Sequence, residues 1–149
     1  ASRQVSIAPG SAVRLVDTSA WIELLRRPQG LSLDDLRGAG EIVTCLSLTQ
    51  EVLQGVRDER AFADIREALL AFPRIDDPLG LDVIDRAVQI YRQARRLGLT
   101  VRSSIDCLVA ASALGHDLTV VHCDRDYDAI SRVTGLRHED LGPRLARRR

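Results

Sequence analysis

The sequence predicts an α/β fold with a central parallel sheet, and three observations carry that prediction. Short apolar, β-branched runs are separated by helical stretches of ten or more residues, the order that βαβ units impose. Each clear strand runs straight into residues that can start a helix: Val13 to Val16 into Asp17-Thr18-Ser19, and Leu118 to Cys123 into Asp124-Arg125-Asp126. The length, 149 residues, suits one domain, and 45% apolar with 28% charged residues is a globular composition. A sheet of about four or five short strands, flanked by helices on both faces, is expected.

Residues 1–12 (ASRQVSIAPGSA) are small and polar and contain Pro9-Gly10, so they are read as a flexible arm. Val13 to Val16 is the first strand, and Trp21, Ile22, Leu24 and Leu25 give the first helix its apolar face. Pro28 to Gly40 is turn-rich. Ile42 to Leu46 is a second short strand, and Ser47 to Val56 is a helix whose Ser47 and Gln50 stand at capping-box spacing. Ala61 to Phe72 is another helix. Beyond the break between Pro73 and Pro78, Leu81, Ile84, Val88 and Tyr91 repeat with a helical period and define the longest helix, ending near Gly98. Ser103 precedes Ile105, Leu108, Val109 and Ser112 at helical spacing, with Gly115 as a stop. Leu118 to Cys123 is the strongest strand. A helix from Tyr127 to Val133, closed by Gly135, and a short segment around Leu136 follow it. Residues 13–141 thus form one domain, and residues 142–149 a mobile basic tail.

Composition excludes several classes. All 21 basic residues are arginine, so lysine-dependent phosphate loops are ruled out. Phosphatases of the haloacid dehalogenase type and phospho-acceptor receiver domains also rely on a lysine near their aspartate, and fall away for the same reason. Cys45, Cys107 and Cys123 are odd in number and widely spaced, which suits small core residues and neither a disulfide framework nor a zinc knuckle. The formal net charge is zero. No apolar run approaches the ~18 residues of a membrane span, and residues 1–12 lack the apolar stretch of a secretory signal, so a cytoplasmic location is expected.

In an open parallel sheet, ligands bind beyond the carboxyl ends of the strands, where loops and helix N-termini converge. Asp17 and Asp124 follow the two best strands, and Glu51 and Asp106 fall in the first turns of two helices. Each also has a structural reading: Asp17 and Asp124 as caps, Asp106 as the acidic partner of Ser103, and Glu51 as a group favoured at the positive end of its helix. Together they suggest more. Carboxylates that cluster raise one another's pKa unless a cation neutralises them, so the four point to a hard divalent metal, magnesium or manganese.

The strings VRLVDTSAWIELL, LSLTQEVLQGV, SSIDCLVAASAL and LTVVHCDRDYDAI resemble, in order and spacing, the four blocks of the PIN-domain ribonucleases, particularly the VapC toxins of bacterial toxin–antitoxin pairs. The resemblance spans roughly residues 13 to 137. It implies an acidic metal site at Asp17, Glu51, Asp106 and Asp124, an auxiliary acid at Asp126, and a hydroxyl beside the first acid at Thr18 or Ser19. It further implies Mg2+-dependent endonucleolytic cleavage of RNA, tRNA before ribosomal RNA, with translation as the process inhibited. Mn2+ can substitute. A cognate VapB-type antitoxin and a homodimer are the implied protein partners. Tyr127 departs from the phenylalanine more common there, and its hydroxyl needs a partner if buried.

An acidic site repels RNA, so arginines must attract the phosphates. Arg92, Arg95 and Arg96 near the end of the long helix and Arg102, four residues before Asp106, are the candidates, with a solvated helix end as the competing reading. Ser103, like Thr18 and Ser19, can orient a carboxylate or simply cap a helix. Aromatic content of 3% leaves little stacking platform, and Trp21 fits core or interface packing. An apolar stripe around Trp21 or Leu69 and Leu70 is the expected dimer face. His116, His122 and His138 could suggest metal-free acid–base cleavage, but no two of them are close in sequence. The reading from another class is a catalytically inactive protein- or RNA-binding module, which would cleave nothing with metal present.

Overall fold

The computed structural model describes residues 12–26 and 29–147. The chain order is β1 (Val13–Val16), α1 (Thr18–Arg26), α2 (Leu33–Arg37), β2 (Glu41–Val43), α3 (Leu46–Gln54), α4 (Glu59–Ala71), α5 (Leu81–Arg96), α6 (Ser104–Gly115), β3 (Thr119–His122), α7 (Asp126–Thr134), β4 (His138–Asp140) and α8 (Gly142–Arg147). The four strands form one sheet in the order β2-β1-β3-β4, every pair parallel. An isolated bridge between Thr44 and Arg74 extends the β2 edge without making a fifth strand. From β1 the chain steps outward to β2, then crosses to β3 on the other side. The crevice beyond β1 and β3 is therefore the topological switch point, where such sheets bind ligands.

Successive strand residues point to opposite faces, and β1 divides its side chains accordingly. Val13 and Leu15 join one core with Val120, Ile90, Val109 and Tyr127, beneath α5, α6 and α7. Val16 joins the other with Val121, Trp21, Leu36 and Leu69, beneath α1, α2 and α4. Helices thus cover both faces, as expected. Each fully buried leucine contributes roughly 1.5–3 kcal/mol, which suffices to hold short strands in place.

The structure corrects several details of the sequence reading. The turn-rich stretch contains α2, capped by a reciprocal box in which Ser32 accepts from the Asp35 amide and Asp35 accepts from the Ser32 amide. The box expected at Ser47 and Gln50 is absent: α3 starts one residue earlier, behind Cys45, which makes no side-chain cap. Trp21 and Leu69 are buried against the sheet, Trp21 tilted onto Phe72, so they form no exposed stripe. Exposed apolar side chains are spread over several elements, Leu25, Leu33 and Leu46 among them, and α5 carries three, Leu81, Val88 and Tyr91. Residues 142–147 are helical, and Arg144 pairs with Glu139 and Asp35. The segment around Leu136 leads into β4 at His138. The arm read at residues 1–12 lies outside the described residues except for Ala12, as do Arg148 and Arg149 of the tail.

One buried charge crosses the sheet. Arg14, in the middle of β1, pairs with Glu139 of β4 over the intervening strand. Its guanidinium also lies against Gly38, where a Cβ would sit 2.1 Å from Nη1 and where φ is +57°, so both space and backbone call for glycine.

Candidate active site

The site is built where β1 and β3 end. The Asp17 amide donates to the Val121 carbonyl at 2.9 Å, extending the strand pairing one residue into the crevice. The Ser19 hydroxyl then bridges the two strand ends: it donates to Asp17 Oδ2 at 2.5 Å and accepts from the Cys123 amide at 2.9 Å. The Ser19 amide adds a second bond to the same Asp17 oxygen, at 3.0 Å, which is also a helix-capping contact. The capping reading of Asp17 is thereby met, and its carboxylate lies at the mouth of the crevice.

The other Asp17 oxygen accepts from the hydroxyl of Tyr127 at 2.7 Å. That ring is fully buried, and burial, with the charge of Asp17 next, holds its phenol well above the ordinary range, so the proton stays on tyrosine. The hydroxyl that distinguishes Tyr127 from phenylalanine thus has its partner in the first acid. Thr18 plays a parallel part, donating to Glu51 Oε2 at 2.6 Å and tying the α3 acid to the start of α1.

Asp106 sits in the first turn of α6, 5% exposed. Ser103 is the helix cap, accepting from the Asp106 amide at 3.4 Å. The Asp106 carboxylate is another matter: its Oδ2 is buried without any hydrogen-bond partner. Burial, reinforced by the charges of Asp17, Asp124, Asp126 and Glu51, pushes this carboxyl up to about 8. An orphaned buried oxygen is costly, and in a native structure it marks a place where something else binds.

Asp124 and Asp126 complete the group. Oxygens of Asp106, Asp124 and Asp126 lie within 4.8 Å of one another. Asp124 Oδ1 accepts from the Asp126 amide at 3.0 Å, and the Asp124 amide donates to His122 Nδ1 at 3.1 Å. That bond fixes the His122 tautomer: Nδ1 is the acceptor, so Nε2 carries the hydrogen and donates to His138 Nδ1, 2.8 Å away. Burial first and His138 second lower the His122 pKa, in keeping with a neutral ring. The pair forms because β3 and β4 run in register, and residues 16 apart in sequence gave no sign of it. His116, by contrast, pairs with Asp76 at 2.8 Å, away from the crevice.

Of the four arginines singled out from sequence, only Arg102 reaches the acids. Its Nε donates to Asp126 Oδ1 and its Nη2 to Asp124 Oδ1, both at 3.0 Å. Arg92, Arg95 and Arg96 are exposed on α5 and, among the described residues, pair with no acid of the cluster. The oxygen-only donor set suits a hard divalent cation and offers no soft ligand for zinc or copper. Cys45 and Cys107 are buried and Cys123 half-buried, all three as free thiols.

A short-stranded parallel sheet whose switch point gathers Asp106, Asp124 and Asp126, with Asp17 just past β1 and Glu51 of α3 near enough to raise the Asp106 carboxyl, has the layout of the PIN class. The PIN-domain sequence pattern matches residues 14–133, and the chain belongs to that family. Among its relatives it is 36% identical over 127 residues to ribonuclease VapC11 of Mycobacterium tuberculosis, covering 82% of this chain and 94% of that one. Ribonuclease VapC18 of the same organism is 30% identical over 132 residues, covering 87% and 95%. Solved structures agree on the fold. VapBC2 from Rickettsia felis bound to a promoter DNA fragment superposes with a TM-score of 0.68 at 14% identity, over 86% of this chain and 98% of that one. DNA-bound VapBC from Salmonella typhimurium gives 0.67 at 20% identity, over 85% and 96%.

Proposed function

We propose that this chain is the ribonuclease toxin of a VapBC-type pair, a metal-dependent endoribonuclease held in check by a cognate VapB-type antitoxin. The observation that carries the proposal is the unpartnered, buried Oδ2 of Asp106 among four other carboxyl groups. Such an arrangement is unfavourable in the empty protein and favourable around a cation. Asp17, Glu51, Asp106 and Asp124 are the residues that would hold Mg2+, or Mn2+ in its place, with Asp126 beside them. When bound there, a divalent cation would supply Lewis acidity, lowering the pKa of a bound water and offsetting charge on a phosphodiester.

The chain's own residues prepare that chemistry. Tyr127 and Ser19 fix the two oxygens of Asp17, and Thr18 fixes Glu51. Ser103 caps α6 and so orients the turn that carries Asp106. Asp106, whose carboxyl burial and its acidic neighbours hold at about 8, would release its proton to become a ligand. His122 is committed to His138 and to the Asp124 amide, so it supports the turn and does not act as base. No side-chain nucleophile is needed.

Arg92, Arg95, Arg96 and Arg102 are proposed to draw in the RNA backbone, with tRNA ahead of ribosomal RNA and translation as the process stopped. The antitoxin is proposed to lay an apolar or arginine-bearing segment along the acidic crevice, and a groove of about 610 Å3 between α1, α3 and α4, lined by Ile22, Leu25, Val56 and Ile65 with Arg26, Arg57 and Asp58, offers an apolar segment a second place to dock. A homodimer through the apolar face of α5 is the accompanying expectation. No described helix is long and apolar enough to cross a membrane.

The test is cleavage of total cellular RNA by purified, antitoxin-free protein with Mg2+, with Mn2+, with a chelator, and with Asp106→Asn alongside. Discrete fragments that require metal and vanish in the variant are expected, and sequencing their ends names the substrate. Folded, metal-loaded protein that leaves both tRNA and ribosomal RNA intact overturns the ribonuclease reading in favour of a binding module.

A further inference from the structure

Asp126 and Arg102 form a unit that the metal-site reading leaves unexplained. Both oxygens of Asp126 are taken by one residue: Oδ2 accepts from the Arg102 backbone amide at 2.8 Å and Oδ1 from its Nε at 3.0 Å. The Asp126 side chain is only 5% exposed, whereas that of Arg102 is 60% exposed. The carboxylate is therefore the buried anchor and the guanidinium the presented group. A third bond, from Nη2 to Asp124 Oδ1, sets the tilt of the plane.

A guanidinium carries five N–H donors in a fixed fork. Nε and one Nη2 hydrogen are spent on the acids, so Nη1 and the second Nη2 hydrogen remain for an acceptor in the crevice. A surface arginine normally loses much rotamer freedom on binding an anion. Here the backbone amide, Nε and Nη2 have already fixed the side chain. A cation bound at Asp126 would sit against that positive charge, whereas Asp106, Asp17 and Glu51 make no hydrogen bond to Arg102 among the described residues, and Asp106 Oδ2 has no partner at all.

We propose that Asp126 is a positioning residue for Arg102, not a metal ligand, and that Arg102 is a catalytic residue that binds the non-bridging oxygens of the scissile phosphate beside the metal. This rests on the ribonuclease reading and divides its acids into two jobs: Asp17, Asp106, Glu51 and Asp124 face the cation, and Asp126 faces the arginine. Asp124 belongs to both halves, with Oδ1 shared between Arg102 and the Asp126 amide.

The test measures Mn2+ binding by electron paramagnetic resonance and by calorimetry in the wild type, Asp106→Asn, Asp126→Asn, Arg102→Ala and Arg102→Lys. Steady-state cleavage of an RNA identified as substrate and melting curves accompany it. Asp126→Asn and Arg102→Ala are expected to keep Mn2+ affinity within about threefold. Each should lose about 10²–10³-fold in kcat, the usual cost of removing one preorganised donor to a developing negative charge. The double variant should lose no more than either single one, and Arg102→Lys should recover little, since an ammonium cannot bridge carboxylate and phosphate as a fork does. Loss of Mn2+ binding in Asp126→Asn comparable to that in Asp106→Asn overturns the proposal, because Asp126 is then a ligand. Tighter Mn2+ binding in Arg102→Ala also overturns it, because the arginine is then a stand-in that the metal displaces. Wild-type protein that binds Mn2+ but cleaves no RNA brings down the ribonuclease reading itself, and that failure is visible before any variant is made.

Discussion

Asp106 and Asp126 are buried to nearly the same degree, 5% and 4% exposed, in one crevice and within reach of each other, yet their surroundings are opposite. Asp106 has an oxygen with no donor and a carboxyl held at about 8. Asp126 has both oxygens bonded to an arginine. Burial and charge type are shared, so neither separates the roles; the donors that each chain segment supplies do. One half of the crevice is left electrostatically unsatisfied and the other is satisfied internally.

The strongest way to break this contrast is to neutralise the unsatisfied side. Asp106→Asn is expected to abolish metal-dependent cleavage, by at least about 10³-fold, and Mn2+ binding with it. The same change should raise the melting temperature of metal-free protein at pH 8, because a buried charge without a partner is removed. A lowered melting temperature would mean that the carboxylate is already well solvated.

A second test uses pH. Asp106 keeps its proton up to about pH 8 in the folded chain, against an ordinary value of 3.8. Between those values the folded state holds more protons than the unfolded one, so the stability of metal-free protein falls as pH rises through the window. Thermal melts from about pH 5 to about pH 8.5 should show that decline, and saturating Mg2+ should remove most of it. Metal affinity should rise across the same range, by up to about tenfold per pH unit, because binding releases a proton. A flat calorimetric profile would place the proton elsewhere.

Smaller effects belong to the supports. Tyr127→Phe removes a donor from the buried Asp17 carboxylate and should cost about 1–3 kcal/mol in denaturant unfolding. Smaller still, His138→Gln loosens the His122 ring behind the Asp124 turn and should cost about 1 kcal/mol. Its cleavage rate should fall far less than that of Asp106→Asn. Equal losses in both would show that the two halves act as one.

The parallel sheet and its helices α1 and α3–α7 could be read from the sequence through apolar runs and helical spacing, and Asp17 and Asp124 stood out because each follows a short apolar strand; β4 and α8 carry no such run, and on sequence alone are a short segment and a tail. The small helix α2 was also announced, by Ser32 and Asp35 at capping-box spacing, but its five residues were hidden in a turn-rich stretch. Pairings between distant segments were not announced. Arg102 and Asp126 meet because α6 and α7 dock side by side, and His122 meets His138 through strand register. Leu69 looked like a surface stripe because helical period alone cannot tell which neighbour covers it. The need of Tyr127 for a partner was legible; that the partner is Asp17, 110 residues away, was not.

The family pattern ends at residue 133, but the cooperative unit does not. β4 supplies the sheet's last strand, Leu141 is fully buried in the core beneath α1, and Leu145 packs on the same core. Glu139, within β4, neutralises Arg14 in the middle of β1. A fragment trimmed to the recognisable domain would bare the flank of β3 and leave a guanidinium stranded inside the protein, so expression boundaries and fused tags should respect residues 136–147.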